Sequence, residues 1–246
     1  MDAPPTTEAE PVVAVAAPRP GLEPRQRWRL TYARELPRGE SSSVGREYLA
    51  LWEQALEACG LQVVTGAGGR PKVSLAAALP VGTSARADLL DVWLAERVPA
   101  WQLREALTPL LPAGHRLVSL EDIWLGASPL AGRVAAADYL VDLNGDSGAA
   151  DIAAAAARLL AASHLPRERT KGGARKTYDL RQLILDLGVV DEGPPVRLRL
   201  RTRIHPELGT GRPDEVVAAL QEELGVSLEI VSVIRERLLL DDDLEG

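Results

Sequence analysis

Arginine alternates with other residues through VRLRLRTRI, the segment at residues 196–204. Successive side chains of a β-strand point to opposite faces, so this pattern predicts a strand with one arginine face and one largely apolar face. The arginine face consists of Arg197, Arg199, Arg201 and Arg203. A strand of this kind fits a sheet that is covered by helices on one face and is open on the other. The segment therefore favours a two-layer α+β fold.

The first half of the chain predicts the order strand, helix, strand, strand, helix, strand. Alternation of apolar and polar residues indicates strands at 27–34, 72–77, 89–94 and 115–125, and helical spacing indicates helices at 41–60 and 99–112. Pro80 and Gly82 favour a turn between the second and third strands. This order is that of a ferredoxin-like module, which is an antiparallel four-stranded sheet with both helices on one face.

The second half predicts the same architecture with different residues. Strands are expected at 137–143, 196–204 and 227–239, and helices at 149–162 and 213–224. Residues 164–190 contain a basic, glycine-broken loop and a continuous apolar run that fits either a strand or a short helix. The predicted organisation is a disordered leader at 1–24, ferredoxin-like modules at 25–130 and 131–240, and an acidic tail at 241–246.

Composition excludes several classes of protein. Apolar residues make up 46% of the chain and charged residues 26%, as in a globular protein, and no apolar run reaches the roughly 20 residues of a membrane helix. Cys59 is the single cysteine and the three histidines, His115, His164 and His205, are scattered, so we expect no metal, no cofactor and no membrane association. The expected location is the cytoplasm, and no catalytic constellation is recognisable.

Short motifs in both halves resemble a radical-SAM-linked protein family of unknown function, of which this chain looks like a divergent, stand-alone member. Asp179, Leu180 and Arg181 match the Asp-Leu-Arg element of that family, behind its basic linker. The first-half matches include Gly66, Pro71, Lys72, Pro80, Gly82, Ser84 and Asp91. The resemblance implies a radical-SAM protein as the partner. Val44 to Glu47 stand where the family has Ser-His-Leu-Asp, so no role for that histidine carries over.

One region of the chain favours a polyanionic partner. The chain carries a net charge of −7, yet residues 167–212 hold eleven basic and six acidic residues, or about +5. The candidate nucleic-acid-binding residues are Arg197, Arg199, Arg201, Arg203, Lys171, Arg175, Lys176 and Arg181. In the predicted strand order the arginine strand lies beside residues 137–143, so cross-strand pairs with Asp138 and Asp142 are the alternative to an open basic face.

Three functions follow as hypotheses. The first is a non-catalytic accessory module of a radical-SAM system that binds RNA through the arginine strand. The second is an RNA-processing or RNA-modifying enzyme with a pocket between the two modules. The third is a structural adaptor for a partner protein.

Overall fold

The computed structural model describes residues 22–36, 45–171 and 174–244. In the first half it contains β1 (Gln26–Arg34), α1 (Gly45–Ala58), β2 (Val73–Leu75), β3 (Thr83–Leu94), α2 (Ala100–Leu107) and β4 (His115–Ile123). In the second half it contains β5 (Val134–Gly145), α3 (Ala149–Ala161), β6 (Pro166–Lys171), β7 (Ala174–Asp179), β8 (Ile184–Asp191), β9 (Val196–His205), β10 (Gly209–Thr210), α4 (Pro213–Leu224) and β11 (Leu228–Leu240). None of the helices in these described ranges is long and apolar enough to cross a membrane. Most of the predicted leader lies outside these ranges.

Nine of these strands form a single, mostly antiparallel sheet, so the fold is mixed α/β with four α-helices in the described part of the chain. The strand order is β10-β9-β5-β11-β3-β1-β4, with β2 paired to β3 and β8 paired to β9. The two halves meet where β11 runs parallel to β3, with Val233 opposite Thr83 and Arg235 opposite Ala85. The expectation of two separate antiparallel sheets is therefore corrected to one continuous sheet with a parallel junction.

Each half contributes its strands to the sheet in the same internal order. The first half reads β4-β1-β3-β2, and the second reads β11-β5-β9-β8. Counted along each half, leaving aside β10 and the β6–β7 pair, this is fourth, first, third, second in both cases. The assignment of each half to a ferredoxin-like module stays a prediction.

The helices of both halves pack against the same face of the sheet. In the first half, Leu30 and Leu90 pack in a core with Trp52 of α1. In the second half, Val141 packs in a core with Ile152 of α3. Residues that lie directly opposite each other on adjacent strands point to the same face of a sheet. Arg34 pairs with Ala85, Ala85 with Arg235, and Arg235 with Tyr139, so these four side chains share one face across the junction of the two halves.

Residues 164–190, which the sequence left open, form three distinct pieces. Strands β6 and β7 make a two-stranded hairpin that is separate from the main sheet. A short 3-10 helix at Leu180–Leu183 follows, and β8 then joins the main sheet beside β9. The hairpin is polar on both faces, which is why hydrophobic periodicity did not reveal it.

Candidate nucleic-acid interface

The arginine row on β9 lies on the sheet face opposite the helices and is paired with acids. The register places Arg201 opposite Asp138 and Arg197 opposite Asp142 on β5. Arg201 donates from Nε to Asp138 Oδ1 at 2.6 Å and from Nη2 to Oδ2 at 3.0 Å. Arg197 makes the same two-pronged contact with Asp142, at 2.7 and 3.1 Å. The cross-strand ion pairs, which are the alternative to an open basic face, are therefore present.

The other two arginines of the row are also engaged. Arg199 Nε lies 2.9 Å from Asp186 Oδ2 on β8, and Arg203 Nε donates to the carbonyl of Gln182 at 3.2 Å. Burial would raise the pKa of Asp138, but the guanidinium groups of Arg201 and Arg237 hold that pKa below its usual range. Of the two alternatives that the sequence left open, the structure shows the paired face, which leaves less charge for an external phosphate.

The β6–β7 hairpin lies along α4 and is held there by two ion pairs. Arg167 Nη2 contacts Glu222 Oε2 at 2.9 Å near the C-terminal end of α4, and Arg169 Nη2 contacts Glu215 Oε2 at 2.7 Å near its N-terminal end. Arg169 also donates to the carbonyl of Thr210 at 3.2 Å. Strand β6 therefore runs from the C-terminal end of α4 towards its N-terminal end.

Tyr178 on β7 packs beneath the guanidinium that anchors the hairpin. Arg169 Cζ lies 4.8 Å from the centre of the Tyr178 ring, within the range of a cation–π contact. Burial, together with a hydrogen bond and the charge of Glu215, raises the pKa of Tyr178 to about 12. The phenol is therefore neutral at physiological pH and packs against the ion pair between Arg169 and Glu215.

The tip of the hairpin lies towards the N-terminal end of α4. Strand β6 continues past Arg169 to Lys171, which pairs with Ala174 at the start of β7, and these described strand ends form the tip. Residues 171–176, KGGARK, carry three basic residues and no acid. The Arg175 side chain is 82% exposed and Nη1 lies 3.6 Å from exposed Glu168. The structure thus places Lys171, Arg175 and Lys176 together on one hairpin, apart from the arginine row.

Arg181 has a structural role at the base of the hairpin. It donates from Nε to the carbonyl of Leu160 at 2.9 Å and from Nη1 to the carbonyl of Ile184 at 2.8 Å. Asp179 accepts the backbone N–H groups of Leu165 and Arg181 at 2.8 and 3.0 Å. The Asp-Leu-Arg element therefore fastens the hairpin to α3 and β8.

A cleft of about 850 Å³ opens where the two halves of the sheet meet, on the helix face. The first half contributes the β2–β3 connection, residues 76–83, and the second half contributes residues 230–233 and 235 of β11 and Tyr139 of β5. Ile204, Thr210 and residues 212–214 at the start of α4 complete the lining. Thr210 also accepts the hydrogen bond of Arg169, so the cleft borders the anchored hairpin.

A buried ion pair fixes the first-half wall of the cleft. Arg235 and Asp88 are each 1% exposed, and they join through Nε–Oδ1 at 2.7 Å and Nη2–Oδ2 at 2.6 Å. Arg235 also donates to the carbonyls of Ala78 at 2.9 Å and Ala77 at 3.3 Å. Burial opposes the charge, but Asp88 keeps the pKa of Arg235 above its ordinary value. The sequence did not reveal this pair, because Arg235 belongs to the charged run RER of β11 and nothing in that run sets it apart from its neighbours.

Three of the first-half family-motif residues lie near the cleft. Pro80 and Gly82 line it, and the Thr83 N–H donates to the Pro80 carbonyl at 3.2 Å to close the turn. Gly82 has a φ of +72°, a conformation that side chains disfavour. Ser84 Oγ accepts the backbone N–H of Leu36 at 3.2 Å.

The remaining family-motif residues lie elsewhere in the first half. Asp91 is fully buried and binds Arg27 and Arg29 of β1. Lys72 Nζ lies 4.5 Å from the centre of the Trp93 ring. Gly66 and Pro71 support the turn before β2. The Gly66 N–H donates to the Arg70 carbonyl, and Pro71 forms an isolated antiparallel β-bridge with Thr65. These contacts are structural, so the motif residues do not form one site.

The described ranges contain no group of three or more histidine, cysteine, aspartate or glutamate side chains that could hold a metal ion. Each of the three histidines makes its own set of contacts in the described part of the chain, and these sets share no residue. His115 contacts the hydroxyl of Tyr48 at 2.9 Å, His164 contacts Asp179 at 3.0 Å, and His205 accepts two backbone N–H groups. Burial lowers the pKa of His115, which favours the neutral imidazole.

The sheet, the cleft and the hairpin define a mixed α/β protein whose two halves meet at a cleft. Residues 44–216, well over half of the chain, match the family model described as "Uncharacterized protein conserved in bacteria (DUF2344)". The chain belongs to that family. No curated protein matches it.

Among solved structures, the chain is similar to a Cbf5-Nop10-Gar1 complex, with 12% identity and a TM-score of 0.48, over 85% of this chain and 48% of the other. It is also similar to an archaeal box H/ACA sRNP Nop10-Cbf5 complex, with 15% identity and a TM-score of 0.42, over 85% and 47%. An unknown protein from Galdieria sulphuraria matches with 17% identity and a TM-score of 0.25, over 84% and 97%. The chain spans about half the length of the first two.

Proposed function

We propose that this protein is a non-catalytic module that binds single-stranded RNA, with the phosphates on the tip of the β6–β7 hairpin. The observation that carries the proposal is the position of that tip. It carries Lys171, Arg175 and Lys176, of which Arg175 is 82% exposed and 3.6 Å from the exposed Glu168, and it lies towards the N-terminal end of α4, beside the cleft. Phosphate contacts by arginine and lysine supply most sequence-independent affinity for nucleic acid.

The distribution of acids supports the hairpin over the arginine row. Glu222 and Glu215 neutralise the two arginines that anchor the hairpin, Arg167 and Arg169, and the basic residues of the tip lie beyond these anchors. On β9, by contrast, each phosphate would have to displace an aspartate from a two-pronged contact with Arg197 or Arg201. The charge asymmetry found in the sequence therefore fits a phosphate contact on the hairpin.

The resemblance noted in the sequence supports two finer parts of the proposal. We propose that the module works in the cytoplasm and that a radical-SAM protein is its partner. Purified chain mixed with a radical-SAM protein from the same organism should co-elute as a complex. Independent elution at concentrations of tens of micromolar would contradict this part and leave RNA binding untouched.

The cleft favours a second candidate, an RNA-processing or RNA-modifying enzyme. Its volume of about 850 Å³ lies within the range of roughly 300–1,000 Å³ typical of ligand sites. Turnover of an RNA substrate, lost when the cleft is blocked, would favour this candidate over a binding module.

Fluorescence anisotropy with a mixed-sequence single-stranded RNA tests the proposal. The variant Lys171→Gln/Arg175→Gln/Lys176→Gln should weaken binding to all sequences and reduce the slope of log affinity against log salt by about 2 units, at roughly 0.7 per phosphate. The matched control Arg199→Gln/Arg201→Gln also removes arginine charge, but it should leave that slope unchanged and lower the melting temperature, because it leaves Asp138 and Asp186 without these partners. If the parent shows no salt-dependent binding, the structural adaptor becomes the better assignment.

A further inference from the structure

We propose that the cleft takes one unstacked nucleobase of the RNA strand that the hairpin holds. This inference rests on the proposed function and adds a second binding element to it. It concerns the interior of the cleft, which is chemically different from the basic tip beside it.

The walls of the cleft are mainly aliphatic. The β2–β3 connection contributes Leu79, Pro80 and Val81, and β11 contributes Ile230, Val231 and Val233. Aliphatic walls favour an uncharged surface and penalise a phosphate, which would lose its hydration there. A nucleobase has flat π-faces that can pack against such walls, and its polar edge can remain towards the rim.

The charges of the cleft lie at its rim and its floor. Arg212 and Asp214 are exposed at the start of α4. Arg235 at the floor is paired with Asp88 and bonded to two carbonyls, so its charge is compensated. An RNA strand whose phosphates lie on the hairpin and near Arg212 would therefore keep its backbone outside the cleft and turn one base into it.

Val81 marks the mouth of the cleft. Its side chain is 71% exposed although it is apolar, and it stands on a turn that Pro80 and Gly82 hold in place. Apolar side chains that project at a nucleic-acid surface insert between neighbouring bases and unstack them. We assign this role to Val81, which would pack against the base next to the one inside the cleft.

An RNA containing a single 2-aminopurine tests the inference, because the fluorescence of this base is quenched by stacking and rises when it is unstacked. With the parent protein the fluorescence should rise on binding at one position of the oligonucleotide. The variant Ala78→Leu/Val231→Leu, which narrows the cleft, should abolish the rise and weaken affinity about fivefold, or about 1 kcal/mol, because the base loses its contacts with the walls. The salt slope should not change, because the hairpin is intact.

Two further variants complete the design. Val81→Ser, at a largely exposed position that does not support the core, should reduce the rise without lowering the melting temperature. Val190→Leu repeats the valine-to-leucine change at an exposed position on β8, outside the cleft, and should behave as the parent does. Salt-dependent binding with no fluorescence change at any position would overturn the inference and leave the proposed function standing. Absence of salt-dependent binding would overturn both.

Discussion

Breaking the buried ion pair between Asp88 and Arg235 should be among the most destabilising single changes in this protein. Both side chains are almost fully buried, and the contact joins β3 of the first half to β11 of the second. Asp88→Asn keeps the size of the side chain but leaves the guanidinium of Arg235 without a counter-charge. Removing one partner of a buried pair costs about 3–5 kcal/mol. For a chain of this length that loss lowers the melting temperature by about 6–20 °C.

Urea unfolding followed by circular dichroism gives the free energy of unfolding of parent and variant. The control is Glu236→Gln, which removes the partner of Arg86 from an ion pair at 2.6 Å whose side chains are 56% and 32% exposed. Exposed pairs contribute about 0–1 kcal/mol, so this control should stay close to the parent. Equal losses for Asp88→Asn and Glu236→Gln would refute the reasoning.

A double variant separates the charge from the carbonyl contacts. Asp88→Leu with Arg235→Met removes both charges, so it should recover much of the stability lost by Asp88→Asn. It also leaves the carbonyls of Ala77 and Ala78 without their donor, and we expect a remaining loss of about 1–3 kcal/mol. Full recovery would show that Arg235 does not hold the wall of the cleft.

The remaining predictions concern pH. Burial lowers the pKa of His115, so the stability that its neutral form contributes should be present above about pH 6.5 and be lost as the pH falls through the pKa of the folded state. In thermal melts between pH 4 and 8, His115→Gln should therefore lose less stability at acidic pH than the parent does. Tyr178 has a raised pKa of about 12, so its contribution should be complete below pH 10 and be lost as the pH rises from about 10 to 12. Tyrosinate absorbance of the parent and of Tyr178→Phe checks this, and a Tyr178 that ionises near pH 10 would contradict it.

Local pattern predicted much of the secondary structure, because period-two and helical spacing are properties of short segments. β1, β5, β9 and the four helices lie near their expected positions. The same alternation, combined with a strand order, also placed the arginine row beside Asp138 and Asp142, and the observed register then pairs them with Arg201 and Arg197. Both inferences depend only on which face of a strand or helix each side chain occupies.

The features that the sequence did not reveal depend on contacts between distant residues. The two halves join through three residue pairs between the parallel strands β11 and β3. So short a contact produces no recognisable hydrophobic pattern in the sequence. The ion pair of Arg235 with Asp88 joins residues 147 positions apart. The hairpin was hidden because its strands are polar and pack on α4 through ion pairs instead of apolar side chains.

The most direct test of the central claim is to map ultraviolet cross-links between the protein and a bound single-stranded RNA by mass spectrometry. The claim is that RNA contacts the hairpin and the cleft and not the arginine row. It predicts cross-links within residues 174–178 and at the cleft wall near Val81. Cross-links concentrated in β9, between Arg197 and Arg203, would contradict it.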